Sequence, residues 1–422
     1  MIGESQGTSV TQNAQLTAPA ATAPAGQPQP AGVGGGLGLL LLLGAITAIG
    51  PLSLDMYLPA LPTMARDLDA SQAQIQLSLT TCLVGLALGQ FVTGPLSDRW
   101  GRRRPVLIGL AAYTLLALAC AAAPSASTFT VLRFAQGFAG GMAAVVTRAI
   151  VRDLYSGRAA AKYFSRLTLV FGLAPIAAPT VGSLVLRFGS WRTLFVLLAV
   201  IGALLTAVVA ARLPETLPAH RRSRDGLGGT VRSLRELLTD RVYLGYTLTQ
   251  GLAFAGLFAY ISGSSFVFQD VFHLSASTFG LLFGLNALAF VAVGQANVRL
   301  LDRFSPRTLL VSTLGVSAVA AAAVLAGAIA TSQLLLTGAL LIFIASLGMV
   351  MPNGTTLALD RHAHHAGTAA ALMGALQSVI GSLAAPLVGL GGEGSAVPMA
   401  AVLAASAALS LTAVVTLARP RP

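Results

Sequence analysis

Asp55 has the clearest capacity for chemistry, because it is the only carboxylate that lies well inside any of the chain's long apolar stretches. It belongs to the segment LDMYLPALP at residues 54–62. An ionised carboxylate is costly to bury among apolar groups, so we expect Asp55 to bind a proton or to pair with a cation. The alternative is a position near the outer end of its helix, about 27 Å along from Leu37 and past the middle of an apolar layer. Reversible protonation is therefore the first chemistry to consider.

Arg133 is the second such residue, and it opens the run RFAQG at residues 133–137. A guanidinium inside an apolar helix faces a cavity or a partner and marks a functional site by default. The alternative is a side chain that reaches back to the helix end, because Arg133 lies only about one turn into its stretch. We predict that Arg133 helps to hold the charge of Asp55.

Further polar and aromatic residues in the apolar stretches are candidates to line a substrate cavity. Each is as well suited to joining neighbouring helices by hydrogen bonds, or to lying at a helix end. The candidates are Tyr57, Gln136, Asn286 and Tyr260.

The composition defines the elements that must hold these residues. Of 422 residues, 55% are hydrophobic and 9% are charged, with a mean hydropathy of +0.78, whereas soluble domains carry roughly 25% charged residues. A water-soluble globular fold and a disordered chain are both excluded. Apolar runs of about 20 residues predict twelve membrane-crossing helices. They lie at about 37–60, 74–96, 105–123, 128–150, 163–186, 192–212, 241–266, 276–298, 307–328, 333–356, 367–390 and 396–418.

The net charge of +12 suits either nucleic acid or a membrane, and its distribution decides between them. Twenty-two of the 26 basic residues lie in or beside every second connection between spans, beginning with that between the second and third spans, or in the C-terminal tail. Arg66, Arg187 and Arg192 lie in the other connections, and Arg133 lies within a span. Positive charge stays on the cytoplasmic side, so both termini are predicted to be cytoplasmic. Basic residues confined to short loops also argue against a nucleic-acid surface.

The spans divide into two related halves. Residues 213–240 form the longest interior connection, rich in both charge signs and in Gly, and separate six spans from six. DRWGRR at 98–103 is echoed by DRFSPR at 302–307. We predict an all-α membrane protein of two six-helix bundles, residues 36–212 and 241–418, joined by the cytoplasmic linker 213–240. A disordered tail, 1–35, precedes the first bundle, and a short tail, 419–422, ends the chain.

The segment after the second span carries the most specific motif. Residues 94–107, GPLSDRWGRRRPVL, resemble the G-x-L-a-D-R-x-G-R-R/K-x-x-L loop signature of the major facilitator superfamily, and RFAQG resembles that family's R-x-x-Q-G motif. Physically, Gly94 is expected to let backbones approach closely and Gly101 to permit a tight turn. The resemblance implies a loop that gates the cytoplasmic side, formed by Gly94, Asp98, Arg99, Gly101, Arg102 and Arg103.

The fifth span contains GLAPIAAPTVGS at residues 172–183, which is similar to the motif that marks exporters in this superfamily. The core of that motif, G-P-x-x-G-G, reads APTVGS here, so small residues replace both outer glycines. Paired prolines bend a helix and small residues permit close packing. We assign the exporter-helix role to Pro175, Pro179 and Gly182.

Several segments together resemble the Bcr/CflA branch of drug:proton antiporters. They are DxYLPALP in the first span, RAIVRD at 148–153, LAPIAAP in the fifth span, VFQDVFHLS at 267–275, FGLNAL at 283–288 and Pro352-Asn353. The resemblance covers roughly residues 40–418. It implies a transporter of the bacterial cytoplasmic membrane that exports drug-like small molecules in exchange for protons, with the lipid bilayer as its setting.

The sequence thus predicts a functional monomer with no cofactor and no metal, driven by the proton gradient. The main alternative is a proton-coupled importer or symporter of a small metabolite. An enzyme or ATP-driven pump is excluded, because the single lysine, Lys162, lies in no phosphate-binding loop and the chain contains neither HExxH nor G-x-S-x-G.

Overall fold

A computed structural model of the chain describes residues 37–155, 163, 167, 174, 177–218, 236–360, 366–390 and 394–418. Within these residues the structure is built from helices, and eleven helical stretches are long and apolar enough to cross a membrane. They match eleven of the twelve predicted spans. The remaining one, 163–186, falls largely outside the described residues, although residues 177–185 are helical. The predicted tails 1–35 and 419–422 and residues 219–235 of the linker also lie outside them.

We number the helices in chain order. They are α1 (Leu37–Asp55), α2 (Leu61–Asp67), α3 (Gln72–Trp100), α4 (Arg103–Ala121), α5 (Ala126–Leu154), α6 (Trp191–Arg212), α7 (Arg241–Phe266), α8 (Ala276–Leu300), α9 (Pro306–Ile329), α10 (Gln333–Asp360), α11 (Ala366–Ser382), α12 (Ala384–Leu390) and α13 (Val397–Thr416). A 3-10 turn, Leu58–Ala60, follows α1, and a π-helical segment, Val267–Val271, follows α7.

The first span is interrupted in its second half. It extends over Gly38–Asp67 and consists of α1, the 3-10 turn and α2. Pro59 in the turn and Pro62 at the start of α2 have no backbone N–H to continue a ladder of hydrogen bonds, which explains the break. Asp55 is the last residue of α1, and the span continues past it to Asp67. Asp55 therefore borders a break inside the span and not the end of the span.

Serine side chains begin several helices. Ser71 and Gln74 form the reciprocal capping box that their spacing predicts, with Ser71 Oγ accepting from the Gln74 N–H over 3.3 Å and Gln74 Oε1 accepting from the Ser71 N–H over 2.9 Å. Ser275 and Ser305 cap α8 and α9 in the same way, each accepting from a backbone N–H three residues on. The polar positions that punctuate the apolar sequence thus fix where spans start.

Glycines bring α3 and α5 together in the first half. Gly85 and Gly89 of α3 and Gly137 and Gly141 of α5 lie so close to the facing helix that a Cβ would overlap its backbone carbonyl. The second half repeats this contact, because a Cβ on Gly348 of α10 would overlap the carbonyl of Phe290 on α8. These are equivalent pairs, the second and fourth spans and the eighth and tenth, which agrees with two related halves.

Candidate functional site

Asp55 is 4% exposed and lies where α1 gives way to the 3-10 turn. Among the described residues, no side chain or backbone group forms a hydrogen bond or an ion pair with its carboxylate. A buried carboxylate without a cationic partner is strongly penalised as an anion and favours the protonated form. The position thus has the burial that reversible proton binding requires.

Arg133 is fully buried on α5, and its guanidinium does not pair with Asp55. Nη2 donates to the backbone carbonyl of Ser53 over 2.7 Å, and Nη1 donates to Oε1 of Gln136 over 2.6 Å. The guanidinium also lies over the ring of Tyr57, 4.7 Å from its centroid. The Ser53 carbonyl is one of those that a helix end leaves without an intrahelical partner. Arg133 thus places a positive charge at the C-terminal end of α1, where the helix dipole favours it.

The residues around Arg133 form one hydrogen-bonded cluster. The Tyr113 hydroxyl donates to Ser53 Oγ over 2.6 Å, because Ser53 Oγ itself donates to the carbonyl of Ile49. The Tyr57 hydroxyl likewise donates to Ser78 Oγ over 2.9 Å. This cluster joins α1 to α3, α4 and α5. Tyr113, Ser53 and Ser78 are not among the predicted site residues; the only signal in the sequence is that polar groups occupy apolar positions of four successive spans.

Two predicted cavity residues, Tyr57 and Gln136, are fully buried inside this cluster. In the described state their side chains hold helices together and present no surface to a cavity, which is the alternative that the sequence analysis left open. Cys82 and Cys120 are both free thiols and buried.

The other two predicted cavity residues lie across from Asp55 in the second half. The Asn286 amide donates to the Tyr260 hydroxyl over 2.9 Å, and the Tyr260 ring stacks on Phe283 with centroids 5.1 Å apart. Tyr260 is 2% exposed and Asn286 is 3% exposed. The Asp55 carboxylate lies within electrostatic reach of the Tyr260 hydroxyl. Tyr260, with Asn286 bonded to it, thus approaches Asp55 from the second half.

The loop between α3 and α4 is tied to two other spans. Arg102 donates from Nη1 to Asp98 Oδ1 over 2.6 Å and from Nε to Asp153 Oδ2, at the end of α5, over 2.8 Å. Burial alone would lower the pKa of the Arg102 guanidinium, but its hydrogen bonds to Asp153 and Asp98 raise it overall. Gly101 has a φ of 88°, which confirms the tight turn expected there. A Cβ at Gly94 would meet no atom within 4 Å, so the close approach expected at that glycine is absent among the described residues.

Glu215, after the sixth span, completes this loop. Its carboxylate accepts from the backbone N–H of Arg102 over 2.7 Å and of Arg103 over 3.3 Å. It thereby caps the start of α4, where anions are stabilised. Arg103 reaches the Ala210 carbonyl over 2.6 Å, whereas Arg99 lies at the exposed end of α3. Asp153 and Glu215 are not among the residues predicted to form the gating loop.

The exporter-helix residues lie where the two halves meet. A Cβ on Gly182 would overlap the carbonyl of Met56, directly after Asp55, so the fifth span packs against the break in the first. A Cβ on Gly280 of α8 would lie 3.1 Å from the Pro179 carbonyl and 2.9 Å from Ser183 Oγ. Pro175 lies outside the described residues.

The described hydrogen bonds between the halves all lie at one end of the molecule. They join Gln76 to Ser262, Thr80 to Ser382, Thr180 to Gly280, Arg187 to Ser277, Ser265 to Leu58 and Gln269 to Pro59. We call this the closed end. The end that carries residues 97–104 and 301–307 is called the basic end, and no bond between described residues joins the halves there.

A sequence model of the Major Facilitator Superfamily matches residues 43–386. This chain belongs to the major facilitator superfamily. It is 41% identical to the uncharacterized MFS-type transporter YdgK of Bacillus subtilis, over 90% of this chain and 95% of the relative. It is 30% identical to the bicyclomycin resistance protein homolog of Haemophilus influenzae, over 89% of this chain and 94% of the relative. The multidrug resistance protein MdtL of Klebsiella pneumoniae is 29% identical, over 90% and 96%.

Solved structures of major facilitator proteins share the fold. The D-xylose-proton symporter superposes with a TM-score of 0.71 at 14% identity, over 90% of this chain and 97% of that one. A bacterial homologue of the lysosomal transporter Spinster, in an inward-facing conformation, superposes with a TM-score of 0.70 at 16% identity, over 90% of this chain and 94% of that one. The predicted all-α major facilitator fold and the assignment to Bcr/CflA-type drug efflux transporters are confirmed. The chain is a multi-pass membrane transporter of the major facilitator superfamily and not an enzyme.

Proposed function

We propose that this chain is a proton-coupled antiporter that exports drugs or other small amphipathic molecules by alternating access. The observation that carries the proposal is Asp55, a buried carboxylate without a cationic partner among the described residues, beside a break in the first span. The relatives named for bicyclomycin and multidrug resistance support drugs as the cargo.

In this proposal the basic end faces the cytoplasm, both termini are cytoplasmic, and the protein works as a monomer in the bacterial cytoplasmic membrane. The charge distribution of the loops supports that orientation. The described state is then closed to the outside, because its bonds between the halves lie at the opposite end.

In each cycle the proton and the drug alternate at Asp55. Protonation from outside releases the drug and favours return to the inward-facing state, and deprotonation inside admits the next drug. Arg133 contributes by holding the end of α1, which fixes the position of Asp55. The loop of Asp98 and Arg102 gates the cytoplasmic side, and Tyr260 and Asn286 contact the drug from the second half.

The test is the variant Asp55→Asn in an efflux-deficient host, examined against a panel of drugs. We expect loss of proton-linked export with normal membrane insertion, because the amide keeps the shape of the carboxylate but cannot exchange a proton. The matched control is Asp69→Asn, an exposed residue with a φ of 46°, which asparagine tolerates. Undiminished resistance in Asp55→Asn overturns the mechanism, and accumulation of a solute by the wild type in place of exclusion identifies an importer.

A further inference from the structure

The 3-10 turn Leu58–Ala60 lies between Asp55 and a cavity at the surface of the closed end. This cavity has a volume of about 590 Å³ and is lined from both halves, by Pro62, Arg66 and Gln72 on one side and by Phe266, Val267 and Asp270 on the other. All three residues of the turn are buried. The buried turn thus separates Asp55 from this cavity along the first span.

The turn is held by two side chains from the second half. Ser265 Oγ donates to the carbonyl of Leu58 over 2.5 Å, and Gln269 Nε2 donates to the carbonyl of Pro59 over 3.1 Å. Gln269 Nε2 also donates to Ser265 Oγ over 2.7 Å, so the two residues act as one unit. The Leu58 carbonyl also accepts from the Leu61 N–H within the turn, so Ser265 is its second donor. The two side chains thereby hold the turn to the second half.

The π-helical segment Val267–Val271 explains how α7 can do this. Ser265 precedes the segment and Gln269 lies within it, and both contact the turn. Other residues of the π-helical segment, Val267, Asp270 and Val271, line the cavity at the closed end, which we call the outer cavity. Such segments are rare and occur frequently at functional sites.

We propose that Ser265 and Gln269 are positioning residues that hold the turn Leu58–Ala60 as the barrier between Asp55 and the outer cavity. The inference rests on the proposed function for its proton step, and on contacts alone for the barrier. The bonds to Leu58 and Pro59 break when the closed end opens, and they reform before the basic end opens. The ion pair of Arg66 and Asp270 at this end is a weaker candidate, because its charged atoms are 3.7 Å apart on exposed side chains and such pairs contribute little.

The first experiment measures access to the barrier. Ser264 is fully buried next to the contact, and its hydroxyl has no partner among the described residues, so Ser264→Cys is a nearly isosteric reporter in a Cys82→Ala/Cys120→Ala background. A membrane-impermeant maleimide is added from the closed-end side, with and without Ser265→Ala/Gln269→Ala. The double variant loses the two hydrogen bonds to the turn, so we expect the thiol of Ser264→Cys to be labelled about tenfold faster in it than in the parent.

Two controls separate the barrier from general loosening. Ser265→Thr retains a hydroxyl donor and should keep the slow labelling rate. Ser275→Ala removes a serine hydroxyl at the same end that bonds only within its own half, to Thr278, and should also label slowly. Equal labelling of Ser265→Ala/Gln269→Ala and the parent overturns the proposal, as does fast labelling of Ser275→Ala.

The second experiment measures drug-independent proton flux in proteoliposomes. The double variant should leak protons several-fold faster than the parent, and adding Asp55→Asn should abolish the leak. Faster labelling without any leak leaves the barrier standing and contradicts the proton coupling of the proposed function. A leak without faster labelling contradicts the barrier. The two proposals can thus fail separately.

Discussion

The guanidinium of Arg133 binds the backbone carbonyl of Ser53, over 2.7 Å, and not the carboxylate of Asp55. The fourth span therefore holds the first by its main chain, two residues before the proposed proton site. A side chain that recognises a carbonyl at a helix end fixes where the helix stops, whatever the charge of Asp55. Arg133 therefore acts on Asp55 through the position of the helix end, without a bond between the two side chains.

Arg133→Lys should lower the initial rate of drug efflux about tenfold at equal protein in the membrane. A lysine ammonium lacks the planar fork that reaches Ser53 and Gln136 together, so at least one buried acceptor loses its hydrogen bond. The measurement is efflux from proteoliposomes driven by a pH gradient. Arg192→Lys is the control, since Arg192 lies at the start of the sixth span, away from Asp55. Equal rates for wild type and Arg133→Lys would show that charge alone suffices.

Gly141→Ala should destabilise the protein by roughly 1–3 kcal/mol, because the new Cβ overlaps the carbonyl of Leu86 and the two backbones must separate. Gly140→Ala is the matched control one residue away, where a Cβ would meet Ile49 at an ordinary 3.5 Å. Thermal unfolding in detergent compares the two variants. The same melting temperature for both would contradict backbone contact between α3 and α5.

Glu215→Ala should expose the loop between α3 and α4 to trypsin. The carboxylate accepts from the backbone N–H groups of Arg102 and Arg103, and loss of such a cap costs about 1 kcal/mol. Cleavage after Arg103 or Arg104 should become several-fold faster in membrane vesicles with the basic end accessible. Glu236→Ala, on the far side of the linker, serves as the control, and unchanged cleavage in Glu215→Ala would exclude the capping role.

Tyr260→Phe should raise the KM for exported drugs about three- to tenfold, with a smaller effect on maximal rate. The phenyl ring keeps the stacking on Phe283 but removes the hydroxyl that Asn286 binds within electrostatic reach of Asp55. Tyr243→Phe loses a comparable hydroxyl, bonded to the Ala369 carbonyl toward the basic end, and should leave KM unchanged. A matching rise in both variants would assign the effect to helix packing.

Most of the fold follows from local properties of the sequence. Apolar length locates the spans, and serines before several of the apolar stretches locate helix starts, as at Ser71, Ser275 and Ser305. The break in the first span is harder to predict, since Pro59 and Pro62 indicate that the helix is disturbed but not how far the disturbance extends. Gly94 and Gly141 look alike in sequence, yet a Cβ would be free at one and would overlap a neighbouring backbone at the other. That difference depends on which helices meet.

The candidate site was harder to predict, because its partners are distant along the chain. Asp55 and Arg133 stand out as opposite charges in apolar stretches, and the sequence therefore predicts that they pair. The structure gives Arg133 a backbone carbonyl, an acceptor that every residue carries and that no sequence pattern marks. Glu215 was equally hidden, because a carboxylate in a charged loop is ordinary until the helix start that it caps is known.

The glycine contacts between α3 and α5 have a mechanical consequence. Where backbones touch directly, no side chains lie between them to change rotamer, so the two helices cannot easily slide past one another. Helix α3 has 29 residues and is about 43 Å long. Movement of its Gln76 end must therefore reappear at its Asp98 end. The helix acts as a rigid lever, so that release of the contacts at one face of the membrane and closure at the other become a single motion.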